Sequence, residues 1–202
     1  MHPAPGRPLI LACSPRAGGN TDQAARLLAR GLADAGADPE ILALRDLDLL
    51  PCLGCQACAR SPGHRCVLER RDRTEEAFAR ILAAPLVLAA SPIYFYHLPG
   101  RFKGFIDRAQ RFYALREAHD PALAALPPGR ALACLVAGRT RGERLFEGAL
   151  LTLKYFFLPL GKTLGEPLCL KGLDGPGDLE ADGAAHELLR AYAARAWEAS
   201  RT

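Results

Sequence analysis

Short apolar runs and helical-period segments alternate along this 202-residue chain, and that alternation restricts its fold more than any other feature. Residues 85–90 are apolar throughout, as a strand buried on both sheet faces must be. Residues 9–12 and 131–137 read the same way, and residues 40–44 give a shorter strand whose strongest members are Ile41 and Leu42. Residues 164–170 hold a fifth, with Pro167 suggesting a sheet edge because proline cannot donate to a ladder. Between these runs, side chains recur at helical spacing: Ala24, Leu28, Leu32 and Ala35; Phe78, Ile81 and Leu82; Phe102 through Phe112; Phe146 through Phe157; Leu188 through Ala196. Asn20 with Gln23, and Asp72 with Glu75, have the spacing of capping boxes, and Gly36 suits a helix end. Five strands alternating with five helices imply one α/β domain over residues 1–202, a parallel sheet with helices on both faces.

In such a sheet, ligands bind beyond the carboxyl ends of the strands, where the strand order reverses. The loops after strands one, three and four therefore converge. The first reads Cys13-Ser14-Pro15-Arg16-Ala17-Gly18-Gly19-Asn20-Thr21 and opens a helix. A helix start offers unpaired N–H groups and a positive dipole end. Gly18 and Gly19 allow close approach of the backbone, while Ser14, Arg16, Asn20 and Thr21 can donate to an anion. The stretch suits a phosphate cradle, or an ordinary βα turn with a polar cap. The second loop, Ser91-Pro92-Ile93-Tyr94-Phe95-Tyr96-His97-Leu98-Pro99-Gly100, gives flat apolar surface with backbone polar groups, a wall for a planar heterocycle. Some of its aromatics are expected to pack a helix on the sheet instead.

These two motifs, with Arg101-Phe102-Lys103 and Asp107-Arg108 downstream, resemble the NAD(P)H-dependent FMN reductase family. The resemblance implies a flavodoxin-like three-layer sandwich with strand order 2-1-3-4-5. It implies an FMN phosphate held by Ser14, Arg16, Gly19, Asn20 and Thr21, and an isoalloxazine held by Pro92, Ile93, Tyr94 and Phe95. Gly138, Arg139 and Thr140 are expected to approach the flavin. The family usually has glycine where this chain has Cys13. The implied reaction is hydride transfer from NADH or NADPH to FMN, then electron transfer to a quinone, nitro compound, free flavin or metal ion. The cofactor carries that chemistry, so no catalytic side chain is assigned. A homodimer or dimer of dimers is implied, with Arg101, Lys103, Arg108 and Arg111 in interface ion pairs; a solvated helix face is the simpler reading of those four, and recruitment of NAD(P)H a third.

Four of the seven cysteines fall between residues 52 and 66. Cys52, Cys55 and Cys58 are spaced by two residues each, and Cys66 follows after seven more. Four thiolates so placed can enclose an iron–sulfur cluster or a zinc ion, and can equally be reduced thiols on a packed loop. The spacing is similar to that of iron–sulfur flavoproteins of the same family. A [4Fe–4S] cluster would make the chain an electron carrier taking electrons from a ferredoxin-like donor. A non-catalytic flavin-binding regulatory module is a third class. His64 among the cysteines reads as a solvated loop residue, His97 as a turn histidine with local hydrogen bonds, and Cys134 and Cys169 as buried small apolar groups.

A net charge of +4 without a basic, aromatic-interleaved run argues against nucleic acid. No apolar stretch reaches the roughly 20 residues of a membrane span. Residues 1–8 lack a signal-peptide core, so a cytoplasmic location is expected. Gly161-Lys162-Thr163 ends like a phosphate-binding loop, but Phe156 stands where that motif needs glycine, and the triplet follows a helix.

Overall fold

The computed structural model describes residues 6–201; the first residues of the expected domain and leader reading, 1–5, lie outside them. Strand β1 (Leu9–Ala12) sits between β2 (Glu40–Ala43) and β3 (Leu86–Pro92), and β4 (Gly129–Ala137) follows on the far side of β3. Every pairing is parallel and the order is β2-β1-β3-β4-β5, as expected. Side chains alternate between faces. Leu9, Leu11, Val87 and Ala89 enter one core, whereas Ile10, Ala12, Leu88 and Ala90 enter the other. Both faces are covered, which is why these strands are continuously apolar.

The expected fifth strand is two short ones. β5 (Lys162–Leu164) pairs with Gly129–Ala131, and β6 (Leu168–Lys171) pairs with Cys134–Ala137. Pro167 interrupts them because it has no N–H to give, and both pieces pair only with β4.

Helices α1 (Asn20–Asp34) and α9 (Gly183–Ser200) cover one face. Their backbones nearly touch at Gly31, where an added Cβ would lie 2.2 Å from the Arg190 carbonyl oxygen. The other face carries α3 (Thr74–Ala83), α4 (Gly100–Asp107), α5 (Gln110–Glu117) and α7 (Glu147–Phe157), with α2 (Ala57–Arg60) in the cysteine loop and α6 (Pro121–Ala124) after α5. Phe78 stacks on Phe105 with centroids 4.7 Å apart, and Phe112 and Phe156 meet those rings edge-on. A one-turn α8 (Asp178–Ala181) precedes α9.

Two local expectations are corrected. Neither capping box forms: Gly19 is the N-cap of α1, the Asn20 amide and Glu75 are taken by long-range partners, and Gln23 bonds Arg26 on the next turn. The helix expected through Phe102–Phe112 breaks at Arg108 and Ala109, whose N–H groups reach back three residues to Phe105 and Ile106. That tighter turn aims Arg108 inward. The four basic residues each have a partner within the chain. Arg101 donates to the carbonyls of Leu44, Arg45 and Leu47, Lys103 pairs with Asp107, Arg108 with Asp72 and Arg111 with Glu75.

Candidate functional site

The parallel sheet brings the ends of β1, β3, β4 and β6 to one edge, and a cavity of about 410 Å³ opens there. That volume lies within the usual range for cofactor sites. Ser14, Arg16, Gly19, Asn20 and Thr21 line it from the first loop. Pro92, Ile93, Tyr94 and Phe95 line it from the second, and Gly138 and Arg139 from the third. Thr140 does not; its methyl group faces Gly172.

The end of the cavity expected to take an anion is held by its own hydrogen bonds. No side chain caps α1, so its first N–H groups stay available to a ligand. The Ser14 hydroxyl donates to the Arg16 carbonyl at 2.9 Å and accepts from its N–H at 3.2 Å, fixing the turn. Asp22 accepts from Gly18 N–H at 2.8 Å and from Arg45 at 2.9 Å, so its charge is offset before any anion arrives. Arg16 is exposed at the mouth. Cys13 is buried in the core beneath β1's end, and burial raises its thiol pKa, so it presents no charge to the cradle. Asn20 serves differently from expectation. Its amide donates to the carbonyls of Leu173 and Gly175 at 3.0 and 2.9 Å and accepts from Leu179 N–H at 3.2 Å. The side chain is fully engaged, which leaves its backbone N–H for a ligand.

The apolar end centres on a tight turn. Tyr94 and His97 exchange backbone hydrogen bonds, with Phe95 at φ 49° and Tyr96 at φ 63° between them. Two successive non-glycine residues in the left-handed region carry strain, and such strain concentrates at binding sites. The Phe95 side chain is wholly exposed. The Arg139 guanidinium lies 5.8 Å from the Tyr96 ring centroid. His97 Nε2 shares a 3.1 Å hydrogen bond with the Thr152 hydroxyl, so its side-chain contact is long-range and not local.

Tyr96 of the second loop also lines the cavity, and Leu145, Leu173 and Asp174, which fall outside the sequence reading, line it too. Asp174 stands so close to Gly138 that a Cβ there would lie 2.4 Å from its carboxylate oxygen. Extending the switch-point rule to the loop after the fifth strand position would have found Leu173 and Asp174.

A second cavity, of about 540 Å³, shares no lining residue with the first. Cys52, Cys55, Cys58 and Cys66 all line it, together with Arg108 and Arg111. Among the described residues, no three His, Cys, Asp or Glu side chains converge on a single-ion position. Burial and the neighbouring Cys66, Cys52 and Cys55 push the Cys58 thiol up against one opposing backbone hydrogen bond. The loop is tied at its base. Asp72 accepts from Leu50 N–H at 2.8 Å and from the Thr74 hydroxyl and N–H, and Arg108 donates to the Leu50 carbonyl at 2.9 Å and to Asp72 at 2.6 Å. Burial raises the Asp72 pKa, but these bonds outweigh it and hold the carboxyl below its ordinary value. His64 turns its Nδ1 to the Cys58 carbonyl at 2.8 Å. Cys134 is buried, with its thiol pushed up to about 12, and Cys169 is only half-buried.

Comparison with known proteins follows the same lines. An iron–sulfur flavoprotein of Methanocaldococcus jannaschii is 30% identical over 97 residues, 48% of each chain. The match thus spans about half the length of that relative. Among solved structures, a flavone reductase superposes with a TM-score of 0.73 at 12% identity, covering 96% of this chain and 63% of that one. An NAD(P)H:quinone oxidoreductase from Methanothermobacter marburgensis gives 0.68 at 20% identity over 96% and 95%. An FMN-dependent NADH-azoreductase from Bacillus anthracis str. Ames Ancestor gives 0.60 at 16% identity over 94% and 98%. These likenesses establish the flavodoxin-like fold. Residues 7–160 match the family described as NADPH-dependent FMN reductase, and the chain belongs to that family.

Proposed function

We propose that this chain is an FMN-dependent oxidoreductase that takes electrons from NAD(P)H and delivers them to a small acceptor such as a quinone, nitro compound, free flavin or metal ion. One observation carries the reading. A single cavity joins an uncapped helix start with Arg16 to the strained, aromatic Tyr94–His97 turn. The donor set fits a phosphate at one end and a flat ring at the other. Arg16, Ser14, Thr21 and the N–H groups of Gly19 and Asn20 would hold the phosphate. Pro92, Ile93, Tyr94, Phe95 and Gly138 would hold the ring, and Arg139 would supply positive charge beside it. Bound FMN would accept hydride from the nicotinamide and release electrons to the acceptor. The protein's share is to bind, orient and hold charge. The test is anaerobic mixing of the FMN-loaded protein with NADPH or NADH. Rapid bleaching of the flavin absorbance is expected. Stable flavin binding with no reduction by either nucleotide would favour the regulatory-module reading instead.

The cysteine cavity favours a second reading, an iron–sulfur flavoprotein that relays electrons from a ferredoxin-like donor. All four cysteines border one space, and four thiolates around one space are the ligand set of an iron–sulfur cluster. Iron and sulfide assays of anaerobically purified protein decide it: roughly four irons per chain favour the cluster, and none favours free thiols. All seven cysteines are free, which fits a reducing, cytoplasmic setting. A homodimer or dimer of dimers is in keeping with the exposed Tyr113 on α5, Leu151 and Tyr155 on α7, and Leu158 just beyond it. Sedimentation velocity tests that assembly.

A further inference from the structure

We propose that Arg108 is a positioning residue of the cysteine cavity whose Nε–H donates to a sulfur of a bound iron–sulfur cluster and thereby raises the cluster's reduction potential. The proposal rests on the iron–sulfur reading of Cys52, Cys55, Cys58 and Cys66.

The Arg108 side chain is 1% exposed, an unusual place for a guanidinium. Its terminal nitrogens are accounted for by the Leu50 carbonyl and the Asp72 carboxylate. Its Nε is buried and has no hydrogen-bond partner. An unmade buried donor costs on the order of 1–3 kcal/mol, more when charged, and native proteins rarely leave one. The residue lines the cysteine cavity, and the Cys66 thiol lies against the same guanidinium. Apart from the Cys66 sulfur, the acceptors around it are already engaged. Asp72 takes bonds from Arg108, Leu50 and Thr74, and Glu75 belongs to Arg111.

Arg111 lines the same cavity, and its Nε is also unpartnered. It differs in one respect. Glu75 Oε1 in the same ion pair is likewise buried and free, so a small rotation would satisfy both. Arg108 has no such free carboxylate oxygen beside it, and the acceptor left for it is sulfur, that of Cys66 or of a cluster that Cys66 binds. A thiolate-bound cluster is an anion that gains one further negative charge on reduction. A donor fixed against its sulfur therefore favours the reduced form, and hydrogen bonds to sulfur are among the known controls of cluster potential. The same guanidinium spans Leu50 and Asp72, which flank the cysteines in sequence, so loop and donor are positioned together.

The test is a potentiometric titration with dithionite of the anaerobically reconstituted protein, followed by absorbance and electron paramagnetic resonance. Arg108→Lys keeps a cation for Asp72 but lacks the Nε donor. The double variant Arg108→Gln with Asp72→Asn replaces the buried ion pair by a neutral pair, and so guards against misfolding. All four cysteines remain in both, so the midpoint is read on the iron-loaded fraction of each. Both should shift the one-electron reduction equilibrium toward the oxidised form by roughly tenfold, about 59 mV. Arg111→Gln should move it much less. An unchanged midpoint in both Arg108 variants, or an equal shift in Arg111→Gln, would overturn the proposal while leaving the cluster reading intact. A wild-type chain that takes up no iron would overturn both.

Discussion

Replacing Phe95 with glycine should make the ligand-free protein no less stable while weakening FMN binding. Phe95 has φ 49°, and its ring is fully exposed, so the side chain buries nothing within the protein. A left-handed non-glycine residue costs roughly 1–2 kcal/mol. Glycine removes that cost, and its greater freedom in the unfolded chain returns about 0.4–1 kcal/mol of it. The net change is a gain of about 0–1.5 kcal/mol, with each kcal/mol raising Tm by roughly 2–4 °C at this size. In the complex, the same ring is expected to cover flavin, and burying a phenylalanine is worth about 1.5–3 kcal/mol. Its loss should raise the Kd for FMN by roughly ten- to a hundredfold. Thermal unfolding of the apoprotein and a flavin fluorescence titration read the two effects separately. Apoprotein destabilised by more than about 1 kcal/mol would refute the strain argument. An unaltered Kd would refute the placement of Phe95 against the ligand.

Asn20→Ala removes three hydrogen bonds to the backbone around Leu173–Leu179, at about 0.5–1.5 kcal/mol each; Tm should fall and FMN should bind more weakly, with riboflavin affected to a similar degree because the loop and not the phosphate contact is lost. Gly31→Ala forces α1 from the α9 backbone and should cost about 1–3 kcal/mol or more in denaturant unfolding. The Asp72 carboxyl titrates below its ordinary value of 3.8 in the fold, so its contribution is present above about pH 4 and is lost as pH falls through the lower folded value. Glu75, raised from 4.5 by burial, works in the opposite sense: its contribution is present below 4.5 and lost as pH rises through the folded value. Asp72→Asn should therefore flatten the acid limb of stability measured between about pH 2 and 5, beside an overall loss of about 3–5 kcal/mol from leaving Arg108 unpaired in the interior.

The parallel sheet and the meeting of three loops are legible in the sequence because they follow from local periodicity and from the handedness of crossovers, whereas the strand order is what the family resemblance implies. Ser14 to Thr21 and Pro92 to Phe95 fall at strand ends, and strand ends converge. What escapes such reading is partner choice at long range. Asn20 looks like a cap or an anion donor, yet its acceptors lie more than 150 residues away. Arg108 looks like one of four surface cations, and only the tight turn after α4 makes it a buried partner of Asp72. The strain at Phe95 and Tyr96 is likewise silent, since neither residue type announces a left-handed turn. Lys162 ends up buried at the start of β5, where its ammonium donates to the carbonyls of Leu82 and Ala84 at 3.2 and 2.6 Å, and burial lowers its pKa. A charged residue at a strand start gives no such hint.

The most direct test of the two-ended cavity is the ratio of Kd values for riboflavin and FMN, measured by calorimetry on the apoprotein before and after Arg16→Ala with Thr21→Ala. The phosphate should give FMN an advantage of at least tenfold in the wild type, since a hydrogen bond to a charged group is worth about 1.5–3 kcal/mol. The double variant should lose most of that advantage and bind riboflavin as before. Equal losses for both ligands, or a wild-type ratio near one, would contradict the assignment of this loop to the phosphate.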